Sequence, residues 1–260
     1  MANFKTKYGP WAFVAGASEG LGAAFAEALA SRGLNLILIA RRKEKLEDLA
    51  LVLRQKFSVE IQYASIDLAD IPQTINFVEG LRMDIGLLVY NAAYAPIGYF
   101  QDIPEGELLK IVDVNIRTPL ILSKLLSGRM AKKRTGGIIL MSSLAGNQGS
   151  PKIATYAASK AFNLILAEGL WSELKDQGID VIASCAGAIR TPGYLEAEKQ
   201  KDAPGTLDAD QVVSETLAAL GNGPSVTPGL TNKIARFFMG RLIPKKAAIF
   251  IMKKNTKNLS

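Results

Sequence analysis

Gly16-Ala17-Ser18-Glu19-Gly20-Leu21-Gly22 stands between the apolar run Trp11–Ala15 and the helical pattern Leu21–Ser31. Glycines at such a place let the backbone turn sharply and let a pyrophosphate approach the positive end of the helix that follows. Taken alone, the stretch reads equally well as an ordinary glycine-rich strand-to-helix turn. Its position separates the two, because it opens a series. Short β-branched or leucine-rich runs follow at Leu34–Ala40, Val59–Ala64, Ile85–Tyr90, Gly137–Met141 and Ile179–Ser184. All read as strands apolar on both faces, as buried parallel strands are. Amphipathic stretches at Lys43–Lys56, Pro72–Leu81, Glu105–Met130 and Thr155–Gln177 lie between them. The alternation predicts an α/β fold, a Rossmann-type doubly wound parallel sheet with right-handed crossovers. In that setting Gly16, Ser18, Gly20, Leu21 and Gly22 read as a dinucleotide cradle, spaced GxxxGxG rather than GxGxxG.

The chain has 260 residues, 48% of them hydrophobic, enough for one large α/β domain and against a disordered or collagenous reading. It contains no histidine, so a Ser-His-Asp hydrolase, a Cys-His protease and a His-ligated metal site are all excluded. A general acid has to be Tyr, Lys, Asp, Glu or the lone Cys185, which reads as a small buried strand residue. A single cysteine forms no intrachain disulfide, in keeping with a reducing, cytoplasmic setting. No metal is expected.

Residues 1–228 form the predicted single domain, in which about 186–210, with two prolines and three glycines between Ala186 and Gly205, read as a loop or lid. Residues 229–260 form a basic, partly amphipathic helical extension broken at Pro244. The net charge is +7, yet no acidic residue follows Glu215, and Lys233, Arg236, Arg241, Lys245, Lys246, Lys253, Lys254 and Lys257 are all basic. Leu230, Ile234, Phe237, Phe238 and Leu242 would share one side of a helix, with Arg241 intruding, and the apolar run Ala247–Met252 is flanked by lysines. Such an end suits contact with an anionic membrane surface, a cover over the pocket, or a subunit interface. Nucleic-acid binding is not expected, since aromatics do not interleave with the basic residues. No apolar run reaches the roughly 18 residues needed to span a bilayer, so a peripheral membrane association is the most that is expected.

Tyr156 and Lys160 stand four apart on one helical face. Seven tyrosines make such a pair cheap, and a solvent-facing pair is the bland alternative. Around it lie Ser143 at the end of the fifth strand, Asn115 in the apolar stretch Ile111–Ile116, and Asn91-Ala92-Ala93 after the fourth strand. In this order the glycine turn, Asn-Ala, mid-helix Asn, Ser and Tyr-x-x-x-Lys resemble the short-chain dehydrogenase/reductase family from Tyr8 to about Thr191. The resemblance implies an NAD(P)-dependent oxidoreductase in which Tyr156 is general acid/base and Lys160 holds the nicotinamide ribose. It also implies that Ser143 orients the substrate oxygen and Asn115 continues a proton relay through water. Asp67, Asn91, Gly187 and Thr191 would add cofactor contacts. Lys7-Tyr8-Gly9-Pro10-Trp11 and the basic tail look more like keto-steroid and long-chain 3-ketoacyl reductases. Ala15, Ala93 and Ala186 depart from the family's usual Thr, Gly and Pro, which puts local rigidity in question and not the chemistry.

A free tyrosine titrates near pH ~10, so bringing Tyr156 to about 7 requires roughly 4 kcal/mol of preference for the phenolate. The Lys160 ammonium and an oxidised nicotinamide are the expected sources. The second strand ends in neutral Ala40 and runs into Arg41 and Arg42, where an NAD-specific fold would carry a carboxylate. The expected cofactor is therefore NADPH, its 2′-phosphate held by Arg41 with Ser18 as a second contact; the alternative is that both arginines merely begin a solvated helix. Tyr94, Leu144, Gln148, Ile153 and Tyr194, with Phe100 and Leu195 nearby, fall in loops expected to line a mostly apolar substrate pocket. The expected activity is reduction of a hydrophobic carbonyl by a homodimer or homotetramer. The alternatives are alcohol oxidation and a non-catalytic nucleotide-binding regulator.

Overall fold

The computed structural model describes residues 2–191 and 203–256. Six strands, β1 (Trp11–Ala15), β2 (Asn35–Ala40), β3 (Ile61–Ser65), β4 (Ile85–Tyr90), β5 (Gly136–Ser143) and β6 (Ile179–Ala186), fall where the apolar runs place them. A short pair, β7 (Ile189–Arg190) and β8 (Leu207–Asp208), stands apart from the main sheet, and β9 (Ser225–Val226) completes it. The order is β3-β2-β1-β4-β5-β6-β9, and every neighbouring pair is parallel. The order reverses between β1 and β4, and the crevice of such a sheet opens at the carboxyl ends of its strands there.

Alternation along each strand divides the core between two helix layers. On β2, Leu36 and Leu38 join Phe25, Leu29 and Val212 on one face, while Ile37 and Ile39 join Leu122, Leu126 and Leu164 on the other. The first layer holds α2 (Gly20–Ala30), α3 (Lys43–Lys56) and α8 (Ala209–Ala219). The second holds α4 (Ile71–Gly80), α6 (Thr118–Lys133) and α7 (Ala154–Lys175). β3 is the exception to burial on both faces: it lies at the edge, with Gln62 and Ser65 exposed.

The apolar stretch Glu105–Met130 is not one helix. It divides into α5 (Glu105–Val112), a π turn (Asp113–Arg117) and α6. A π turn widens the helix and releases a main-chain carbonyl; the Tyr90 hydroxyl donates to that of Val114. An N-terminal helix, α1 (Ala2–Tyr8), is also present, anchored by the Tyr8 hydroxyl on Asp180 at 2.5 Å. The extension is a helical pair: α9 (Leu230–Phe237) runs into a second π turn (Phe238–Leu242), and α10 (Lys245–Asn255) begins directly after Pro244. No helix among the described residues is long and apolar enough to cross a membrane.

Candidate active site

The glycine turn is built by close approach. Gly16 has φ +81°, and a Cβ there would stand 2.6 Å from the Ala92 nitrogen. A Cβ on Gly22 would overlap the Gly16 carbonyl, so α2 can pack onto the turn only with glycine at that position. Asn91 locks the arrangement: its Nδ2 donates to the Gly16 carbonyl at 2.9 Å, and its backbone N–H donates to the Ala15 carbonyl at 3.0 Å. Ala92 N–H donates to the same carbonyl at 3.0 Å. The strand ends are thus tied by backbone, and the hydroxyl that Ala15 lacks is not needed for it. Glu19, at the helix N-cap, does not cap α2 but turns its carboxylate to Arg42 and Lys45.

A cleft of about 540 Å³ runs along the carboxyl ends of the strands. Its end beside β2 is walled by Ser18, Arg41, Arg42 and Asp67, its middle by Gly16, Gly20, Leu21 and Asn91, and its far end by Tyr156, Lys160, Gly187 and Thr191. Gly22 lies beneath the floor, where it sets the spacing of helix and strand. Arg42, more than Arg41, is tied to Ser18, with Nη2 3.0 Å from Oγ. The Arg41 guanidinium is exposed at the same end.

At the far end α7 presents Tyr156 and, one turn later, Lys160. Lys160 is 3% exposed; its Nζ donates to the Met141 carbonyl at 2.9 Å and lies 5.5 Å from the centre of the Tyr156 ring. Burial pushes its pKa down to about 8. Ser143 ends β5 and accepts from Ala145 N–H at 3.2 Å. The Tyr156 phenol's pKa is raised by burial, with the neighbouring Ser143 hydroxyl opposing the rise. The expected lowering toward neutrality draws on an oxidised nicotinamide as well as on Lys160; in the protein by itself burial keeps the proton on the phenol. Asn115 is fully buried in the π turn, and its side chain is spent within the protein. Oδ1 accepts from Tyr94 N–H at 2.8 Å, and Nδ2 donates to the Tyr94 carbonyl at 2.9 Å and to Ser159 Oγ at 3.0 Å.

The expected substrate residues divide. Tyr94 lines the cleft, its backbone held by Asn115 and its hydroxyl on Glu107. Ile153 lines a second cavity of about 230 Å³, together with Tyr99, Phe100, Ile103 and Ile111, and Tyr156 borders it as well. Gln148 is buried and donates to the Leu144 carbonyl at 3.4 Å, so it braces the loop after β5. Tyr194 and Leu195 lie outside the described residues. Tyr99, Ile103, Ile111 and Lys110 escaped the sequence reading because their signal, scattered apolar or basic residues in an irregular stretch, is that of ordinary packing. Asn232 did too: it is buried in the first turn of α9 against Gly187, where a Cβ would stand 2.9 Å from its Oδ1.

A glycine turn under a helix N-terminus, a cleft across the topological switch, and Ser143, Tyr156 and Lys160 at one end of it define a dinucleotide-dependent oxidoreductase. The family model for short chain dehydrogenase matches residues 10–202, and the chain belongs to that family. It is 32% identical over 237 residues to the 7beta-hydroxysteroid dehydrogenase of Clostridium sardiniense, covering 89% of this chain and 90% of that one. Among solved structures, one from work on 7beta-hydroxysteroid dehydrogenase stereoselectivity superposes with a TM-score of 0.90 at 29% identity, over 96% of this chain and 98% of that one. A short-chain dehydrogenase from Sphingobium yanoikuyae in complex with NADPH superposes at 0.77 with 30% identity, over 84% and 87%. The resemblance to keto-steroid reductases therefore extends beyond the motifs to most of the chain.

Proposed function

We propose that this enzyme reduces the carbonyl of a bulky apolar ketone, steroid-, lipid- or arene-like, with NADPH and with Tyr156 as proton donor. The observation behind this is that Tyr156 borders both the large cleft and the second, largely apolar cavity, which puts one residue next to both reactants. The similarity to 7beta-hydroxysteroid dehydrogenases supports a hydrophobic substrate, and the relative that binds NADPH supports the cofactor.

The cleft fits a dinucleotide. Gly16, Gly20 and the first turn of α2 would receive the pyrophosphate, with Arg42, Ser18 and Arg41 at the 2′-phosphate, Asp67 beside the adenosine, Asn91 along the middle, and Lys160 at the nicotinamide ribose. The reduced nicotinamide, once bound, supplies the hydride. Ser143 orients the carbonyl oxygen by hydrogen bonding, and Tyr156 gives that oxygen its proton as the carbon is reduced, leaving an alcohol. A phenol whose pKa is raised is fully protonated at neutral pH, the state that reduction requires. Lys160 then stabilises the phenolate until solvent returns the proton. Asn115 serves the relay by fixing the π turn and the Tyr94 loop, since its own amide is engaged. Gly187 and Thr191 would hold the carboxamide end.

Exposed Leu109, Leu120 and Ile165 on α5, α6 and α7 provide apolar contacts for a homodimer or homotetramer, and the buried Cys185 is compatible with the cytoplasm. The test is a panel of ketones and alcohols followed by absorbance of the reduced nicotinamide. Hydrophobic ketones should be consumed with NADPH; a preference for small charged keto acids would contradict the substrate class, and turnover only of alcohols would contradict the direction.

A further inference from the structure

The C-terminal extension folds inside out. Along α9 and its π turn, Asn232 is 3% exposed and Arg236, Met239 and Ile243 are half-buried, a row at helical spacing turned toward the body. Asn232 donates to the Gly205 and Pro228 carbonyls at 3.0 and 3.1 Å, and Arg236 Nη1 donates to Thr227 Oγ1 at 2.9 Å. The opposite face carries Leu230, Ile234, Phe237, Phe238 and Leu242, between 48% and 73% exposed. A surface helix ordinarily buries its apolar stripe and gives its polar side to water. Turning this one to do so would break all three hydrogen bonds, so the apolar face is held outward by the way the helix is docked.

That face is set among positive charge. Arg241 stacks over the Phe237 ring at 5.8 Å. α10 adds Phe250, 71% exposed, between Lys245 and Lys246 on one side and Lys253 and Lys254 on the other. From Thr216 to the end of the chain there are eight basic residues and no acidic one. We propose that this face rests on an anionic lipid surface, its phenyl and leucyl side chains entering the headgroup boundary while the basic side chains lie against lipid phosphates. Lys233 is paired with Glu215 at 3.3 Å, but no acidic residue stands among the other basic residues, so a two-fold contact of the face with its own copy would set like charge against like, which disfavours a second copy as the occupant.

Vesicle flotation of the full chain tests this, with phosphatidylcholine alone and with phosphatidylcholine mixed with phosphatidylglycerol. The protein should float with the mixed vesicles at low salt, at least about tenfold more than with the neutral ones, and be released by high salt. Phe237→Ser combined with Phe238→Ser should reduce binding about tenfold or more while lowering the melting temperature by no more than a few degrees, since about half of each residue is already exposed. Lys245→Glu with Lys246→Glu should do the same. Absence of flotation with the mixed vesicles, or equal flotation with neutral ones, overturns the proposal. So does a double-phenylalanine variant of lower sedimentation mass whose parent does not float, which would assign the face to contact between copies.

Discussion

Arg42 Nη2 donates to Ser18 Oγ across 3.0 Å, joining the end of β2 to the glycine turn after β1. The same guanidinium pairs with Glu19 at 2.5 Å, and Arg42, followed by Lys45, holds the Glu19 carboxyl below its ordinary pKa. A 2′-phosphate arriving here would compete with that ionised carboxylate for Arg42. Replacing Arg42 by Ala should weaken NADPH about ten- to a hundredfold and leave NADH nearly unchanged. Arg41→Ala should act in the same direction. Glu19→Gln frees the guanidinium and should tighten NADPH about two- to fivefold. Values of kcat/KM for both cofactors check these outcomes; a wild-type preference for NADH would show that the arginines do not read the phosphate.

Lys160 has a pKa of about 8 where a free lysine has 10.5. Between those two pH values the unfolded chain holds a proton that the folded chain has released, so this group's contribution to stability rises with pH across that window. Below about pH 8 the buried ammonium is carried at full cost. Lys160→Met should therefore melt a few degrees higher than the parent at neutral pH without cofactor, while losing NADPH affinity and turnover. In the parent, NADPH affinity should decline as pH rises through about 8, where the ammonium at the ribose is lost. A lower melting temperature for Lys160→Met would contradict the burial cost.

Gly22→Ala places a methyl group 1.9 Å from the Gly16 carbonyl oxygen and 2.8 Å from Asn91 Nδ2, and the backbone oxygen cannot yield as a side chain could. The expected cost is about 1–3 kcal/mol or more of stability, together with loss of measurable NADPH binding. Thermal melting and fluorescence titration report the two separately. Gly128→Ala, where a Cβ has open space, is the control.

Asn232 lies far from the chemistry in sequence and against Gly187 in space. Asn232→Ala leaves the Gly205 and Pro228 carbonyls without its amide, at about 1–3 kcal/mol. Because Gly187 stands at the nicotinamide end, the variant should raise KM for NADPH more than it lowers kcat. Equal kinetics with a lowered melting temperature would mean that the contact is structural only.

Most of the sheet was legible because buried parallel strands are continuous apolar runs: β1 and β4 fall at the residues that the runs mark. The edge strand β3 was legible in position but not in exposure, since which strand ends the sheet is a matter of topology and not of composition. The π turn was hidden because Asp113–Arg117 keeps the apolar period of its neighbours, and the Tyr94 backbone that holds Asn115 within it lies 21 residues away. The two-residue β9 and the short α1 carry too few residues for any period to show. At the site, Ser143, Tyr156 and Lys160 announced themselves as a motif, whereas the inward turn of Asn232 depends on how α9 docks and leaves no local trace.

In the proposed reaction Tyr156 delivers the proton to a carbonyl reduced by NADPH. Tyr156→Phe keeps the ring that borders both cavities and removes only the hydroxyl. Turnover of the best hydrophobic ketone by this variant, set beside its NADPH dissociation constant from fluorescence titration, isolates that step. The expected result is a fall in kcat of at least about a hundredfold with NADPH affinity within about threefold of the parent. A variant that turns over at about a tenth of the parent rate or better, with NADPH bound equally well, would show that the proton comes from elsewhere.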